Sequence, residues 1–188
     1  MVCRQSPINI NTKNCYSLHS PDIFKTDLFN KNIISKTTII NNNLIYQVQN
    51  DLFTFFNGYN FKLEQYHFHY DSEHKINNKK FDMECHFVHR HENHYLVLGF
   101  FLIKGDESPF DQSLNANKDE YTLKFKYTDK SFYYYPGSLT TKPFSSNVSW
   151  LLFDNPIKTN AIEKWNKKYG KARPIQNNSG SELFKFIF

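Results

Sequence analysis

The feature that most constrains this chain is a period of two. Bulky apolar residues alternate with polar ones through one short segment after another, and turn residues break the pattern between them. Segment 33–40 (IISKTTII) is β-branched, and 43–50 (NLIYQVQN) sets Leu44, Tyr46 and Val48 against Ile45, Gln47 and Gln49. Segment 61–70 (FKLEQYHFHY) puts Phe61, Leu63, Gln65, His67 and His69 on one side, and 82–90 (DMECHFVHR) does the same for Glu84, His86 and Val88. Segment 94–103 (HYLVLGFFLI) is nearly all apolar, as suits a central strand covered on both faces. Segments 121–127, 131–135 and 148–153 continue the series, and the C-terminal ELFKFIF reads as a last strand. FNGY, HKINNKK, RHENH and KGDESP supply the turns. The 19 Phe and 12 Tyr favour the same conclusion, because stiff aromatic side chains suit pleated, half-buried surfaces.

One helix is expected, over TNAIEKWNKKYG (159–170). Ala161, Ile162, Trp165 and Tyr169 share a face there, Thr159 caps the start and Gly170 ends it. The expected class is therefore mainly β with few short helices. A chain of 188 residues supports one sizeable core, and no repeat or linker divides it, so residues 1–188 are expected to form a single domain.

The net charge of +5 is scattered apart from short runs such as KINNKK and KWNKKYGKAR. A solvated surface accounts for it, with a nucleic acid or sulfated glycan as the rival partner. Cys3, Cys15 and Cys85 form no disulfide framework, although a Cys3–Cys15 bridge stays open. No leader and no apolar run of about 20 residues is visible, so an intracellular soluble protein is expected.

YHFHYDSEHK (66–75) holds three histidines and a glutamate. His67 and His69 project from one side of a strand. If 82–90 is the antiparallel neighbour, His86 faces the same space, and three imidazoles on rigid strands make a zinc site with an open fourth position. Glu84 is then placed to accept a hydrogen bond from a ligand imidazole and fix its tautomer. Three other readings compete: hydrogen-bonded core histidines, a cupin-like set of His67, His69 and Glu73, and an acid/base pair of Glu73 and His74. The cupin pattern lacks its flanking glycines, and adjacent strand residues face opposite ways.

Three separated segments, RQSPINI (4–10), YHFHYDSEHKINNKKFDMECHFVHR (66–90) and YYYPGSLTTKPFSSNVSWLLFDNPI (133–157), resemble the α-class carbonic anhydrases in order along the chain, and RPIQ (173–176) resembles a motif near that family's C-terminus. The resemblance implies a large, twisted, mostly antiparallel sheet with zinc at the bottom of a conical cleft, and reversible hydration of carbon dioxide to bicarbonate and a proton. On that match His67, His69 and His86 are the zinc ligands. Gln65 and Glu84 hold ligand imidazoles, and His74 makes a structural hydrogen bond. Thr140 orients the attacking hydroxide, with Glu73 as its acceptor. Thr141 is the neighbouring cleft threonine, and Val88, Val97, Leu139 and Trp150 form the apolar wall where carbon dioxide rests.

The chain departs from that family in places. The usual proton-shuttle histidine aligns with Leu44, which carries no proton, so slow proton transfer is expected. The N-terminus and the regions 105–121 and 156–173 are trimmed, which leaves oligomerisation open. Lys142 replaces the first of two prolines, and no cysteine follows Thr141, which favours a reducing compartment. The alternative to an enzyme is a binding protein on the same scaffold, for a polyanionic glycan or a protein partner, in a viral particle for instance; such relatives lose zinc histidines, whereas all three are kept here. A nucleic-acid partner is not expected.

Overall fold

A computed structural model describes residues 4–106, 110, 120–129, 131–163, 168–177 and 182–187. Its strands are β1 (Asn9–Ile10), β2 (Tyr16–His19), β3 (Phe24–Thr26), β4 (Ile33–Ile40), β5 (Asn43–Val48), β6 (Phe53–Phe56), β7 (Tyr59–Tyr70), β8 (Lys75–Ile76), β9 (Met83–His91), β10 (His94–Lys104), β11 (Glu120–Leu123), β12 (Ser131–Gly137), β13 (Val148–Thr159) and β14 (Phe184–Ile187). Twelve of them build one twisted sheet in the order β11-β4-β5-β7-β9-β10-β13-β12-β14-β2, with β6 pairing β3 and β7 beside that path. Most pairings are antiparallel; β10–β13 and β14–β2 are parallel. β1 and β8 form a separate parallel pair.

Asparagine makes the tight corners. Asn41 and Asn42 join β4 to β5, and Asn57 and Gly58 join β6 to β7, all at positive φ. Two residues of that hand match the right-handed twist of the flanking strands, and Asn and Gly adopt it at least cost.

The sheet has two unlike faces. One carries an aromatic core that includes Tyr46, Tyr66, Phe68, Phe87, Phe100, Phe132 and Phe153. Tyr46 stacks on Tyr66 at 4.6 Å, and Phe100 on Phe153 at 4.4 Å. The other face carries a smaller cluster of Ile8, Ile10, Val88, Val97, Tyr135, Trp150 and Leu152. β10 lies between β9 and β13 and is buried from Leu96 to Leu102, as its apolar run predicts.

Three expectations change. First, β7 does not keep one alternation. Leu63 pairs His89 and Gln65 pairs Val88, so Glu64 is an extra residue in a β-bulge. The bulge exchanges the faces: Phe61 and Leu63 join the aromatic core, while Gln65, His67 and His69 point to the other side. Second, β13 continues to Thr159, so Thr159 ends a strand instead of capping a helix. Ala161–Glu163 form one 3-10 turn, and residues 164–167, with Trp165, lie outside the described residues. Third, the segment 121–127 is strand only to Leu123, although Phe125 is still buried in the core. Cys85 and Cys15 carry free thiols, and Cys3 lies outside the described residues. Among the described residues no helix is long and apolar enough to cross a membrane.

Candidate metal centre

β7 and β9 run antiparallel with His67 opposite His86 and His69 opposite Glu84. Past the bulge, strand parity sends His67, His69 and His86 to one point. Their ring centroids lie 4.9, 5.2 and 4.7 Å apart, and one nitrogen of each lies within 4.8 Å of the others. All three side chains are buried.

Neighbouring groups fix the tautomers. His67 Nδ1 donates to Gln65 Oε1 at 2.8 Å, because an amide oxygen can only accept. That leaves the lone pair on Nε2, which has no partner. His86 Nε2 donates to Glu84 Oε1 at 2.8 Å, which leaves the lone pair on Nδ1. Both ring nitrogens of His69 are unpartnered. Burial, reinforced by the other histidines, pushes His67 and His69 well below the usual histidine range, so these imidazoles are neutral at pH 7.

Glu84 is the hub. Its Oε1 also accepts from His74 Nδ1 at 2.8 Å, and its Oε2 accepts from the His74 N–H at 2.8 Å. Burial alone would raise its pKa, but His74 and His86 outweigh that and hold the carboxylate well below its ordinary value. The Tyr135 hydroxyl bridges His74 Nε2 at 2.6 Å and Ser6 Oγ at 2.8 Å. Glu73 is the second buried acid. Its Oε1 accepts from the Arg173 N–H at 2.8 Å, while Oε2 has no partner and lies 3.4 Å from His69 Nε2. Burial raises the Glu73 carboxyl; His86, the Thr140 hydroxyl and the Arg173 N–H pull the other way without cancelling it.

A cavity of about 220 Å³ opens beside the imidazoles. Val88, Val97, Leu139 and Trp150 give it apolar lining, with Tyr95. Gln65, His67, His86, Thr140 and Thr141 give it polar lining, with Glu64. An outer chamber of about 530 Å³ adjoins it and shares Glu64, Gln65, His67 and Thr141; Asn41, Asn43, Gln47 and Gln49 add amides to its wall. Leu44 is not part of either wall. It packs half-buried against the aromatic core, while Asn43, Ile45 and Gln47 face the chamber by strand parity. The aligned shuttle position thus points into the core.

The residues present fit a zinc ion. The three imidazoles bring one nitrogen each to a common buried point; those of His67 and His69 have no partner there, and such atoms are costly to leave unpaired. A second group, His74, Glu84 and His86, is also compact, but its donors and acceptors already satisfy one another.

Sequence reasoning missed Ser6, Tyr135 and Arg173, and Ser138, whose N–H donates to Ser6 Oγ at 3.1 Å. Arg173 donates from Nη1 to Ser6 O at 2.7 Å and lies over the Phe144 ring at 3.8 Å, so it ties both ends of the chain to the site. These residues sit inside the quoted motifs, yet nothing in one sequence pairs positions 167 apart.

The family model for eukaryotic-type carbonic anhydrase matches residues 2–179. The chain belongs to the α-class carbonic anhydrase family. A carbonic anhydrase of Nostoc is 32% identical over 193 residues, covering 92% of this chain and 72% of its own. Carbonic anhydrase 7 of Mus musculus is 32% identical over 197 residues, covering 82% and 72%. Among solved structures, the α-carbonic anhydrase of Thermovibrio ammonificans with the inhibitor sulfanilamide superposes with a TM-score of 0.83 at 27% identity, covering 96% of this chain and 86% of its own. Dioscorin complexed with ascorbate superposes at 0.84 with 19% identity, covering 99% and 87%, which is a likeness of fold alone. Carbon dioxide hydration is the general reaction of this carbonic anhydrase family.

Proposed function

We propose that this carbonic anhydrase is an active, zinc-dependent enzyme that hydrates carbon dioxide reversibly to bicarbonate and a proton. The observation that carries the reading is the meeting of three buried imidazoles, two of them with nitrogens that have no partner, beside the apolar residues of the inner cavity. His67, His69 and His86 would hold the ion. Bound zinc supplies Lewis acidity that brings the pKa of a water down to about 7, an effect for which carbonic anhydrases are themselves the reference case.

The chain's own groups do the rest. Gln65 and Glu84 keep the rings of His67 and His86 turned with their lone pairs inward. As ligands, imidazoles carry no charge of their own, so His67, His69 and His86 would leave the ion its full charge, which favours a deprotonated nucleophile. A Thr140 hydroxyl that donates to Glu73 has only its oxygen lone pairs left for the reacting water, so it can accept a hydrogen bond and aim the attack. Val88, Val97, Leu139 and Trp150 give an uncharged, apolar molecule a place beside the nucleophile without holding it tightly. Thr141 borders both chambers, on the path that bicarbonate takes outward.

Metal analysis and stopped-flow hydration of carbon dioxide, on the wild type and His86→Ala, test the reading. One zinc per chain and activity lost in the variant is the expected result. Zinc-free, inactive wild-type protein that is retained on heparin would overturn it in favour of a binding role.

A further inference from the structure

Each hydration event releases one proton inside a buried site, and that proton has to reach solvent before the next. The residues lining the cleft offer one suitable acceptor. Strict alternation along β7 would turn Glu64 to the aromatic core with Tyr66 and Phe68. The bulge between Leu63 and Gln65 instead leaves Glu64 as the extra residue and turns it outward, next to Gln65. Re-aiming a side chain beside a site is a recurrent use of such bulges. As a result Glu64 lines both the inner cavity and the outer chamber, at their junction. It is the only carboxylate among the described residues lining either one. Its side chain is 45% exposed, so it is open to solvent.

We infer that Glu64 is the proton-relay residue of this enzyme. The inference rests on the carbon dioxide reading above. An O–H bond of the reacting water breaks in the inner cavity, the proton crosses through cleft water, and a new O–H bond forms on a Glu64 carboxylate oxygen. The carboxyl then loses that proton to a dissolved buffer base; no group is oxidised or reduced. Arg90 Nη1 stands 4.0 Å from Glu64 Oε1, beyond hydrogen-bond reach, and its own side chain is half exposed. The pair leaves the carboxylate free to turn. Lys62, the other charged residue in the outer wall, is engaged by Asp51 at 2.6 Å.

Glu64→Gln keeps the shape and removes the base. In dilute buffer its kcat is expected to fall by on the order of 10²-fold, while kcat/KM for carbon dioxide holds, and concentrated imidazole buffer restores kcat. Glu64→Asp should recover part of the loss. Zinc content, and the pH dependence of the visible spectrum of the cobalt-substituted protein, are expected to match wild type. Two results would overturn the inference alone: a Glu64→Gln enzyme as fast as wild type in dilute buffer, or one whose kcat and kcat/KM fall together as zinc is lost. A wild type with neither zinc nor hydration activity would sink the underlying reading and the relay with it.

Discussion

His89 sits on the opposite face of β9 from the candidate metal centre and is fully buried. Its Nδ1 donates to Phe87 O at 3.0 Å, so its Nε2 accepts from the Thr54 hydroxyl at 2.9 Å, and Thr54 meets the Thr26 hydroxyl at 2.7 Å. Burial pushes its pKa down to about 4, partly resisted by backbone carbonyls. A histidine in the unfolded chain titrates at about 6.5. Between these values the unfolded state binds more protons, so stability is full above pH 7 and is lost as the pH falls through 6.5 towards 4. The gap is worth about 3 kcal/mol in full and ~2 kcal/mol by pH 5. The Thr54 hydroxyl can turn and accept from a protonated ring, so the cost is the buried charge and not a lost hydrogen bond. Urea unfolding of wild type and His89→Gln at pH 7 and pH 5 isolates this contribution, because His67, His69 and His86 are common to both. Wild type is expected to lose about 2 kcal/mol more than the variant over that interval. Parallel losses in the two proteins would refute the assignment of a buried neutral imidazole.

Other consequences follow from the same geometry. Gln65→Leu removes the acceptor that orients His67, and zinc affinity by competition with a chromophoric chelator is expected to weaken by about 10–100-fold. Val88→Tyr fills the inner cavity from one of its apolar lining positions; kcat/KM for carbon dioxide is expected to collapse while zinc stays bound, as metal analysis would show. Gly170 has φ +72°, and a Cβ there would strike the Phe68 carbonyl, so Gly170→Ala is expected to cost about 1–3 kcal/mol in urea unfolding.

The sequence made the long strands legible because each carries enough alternation to be read alone. The same parity assigns His67, His69 and His86 to one side, and their rings do meet within 5.2 Å. The short strands β1, β3 and β8 escaped because two or three residues cannot show a period. The helix over 159–170 failed at its start for a different reason. Thr159 has the chemistry of a cap, but pairing with Lys104 extends β13 through it, and a sheet partner decides over local preference.

The bulge in β7 shows where pattern reading stops. Leu63 and Gln65 look like members of one alternating series, yet one inserted residue puts them on opposite faces. No residue in FKLEQY announces the insertion, since Glu is tolerated either way; it is set by the facing strand, where His89 belongs to the core and Val88 to the cleft. The same reasoning applies on β5. Alignment by letters puts Leu44 where a proton carrier is expected, but its strand is in register with Ile45 opposite His67, so Leu44 packs away from the cleft. Replacing Leu44 by histidine would therefore bury an imidazole against the aromatic core and supply no relay. Glu64 has the reverse character: an acid that alternation would hide in the core is itself the extra residue of the bulge and lines the wall of the cleft.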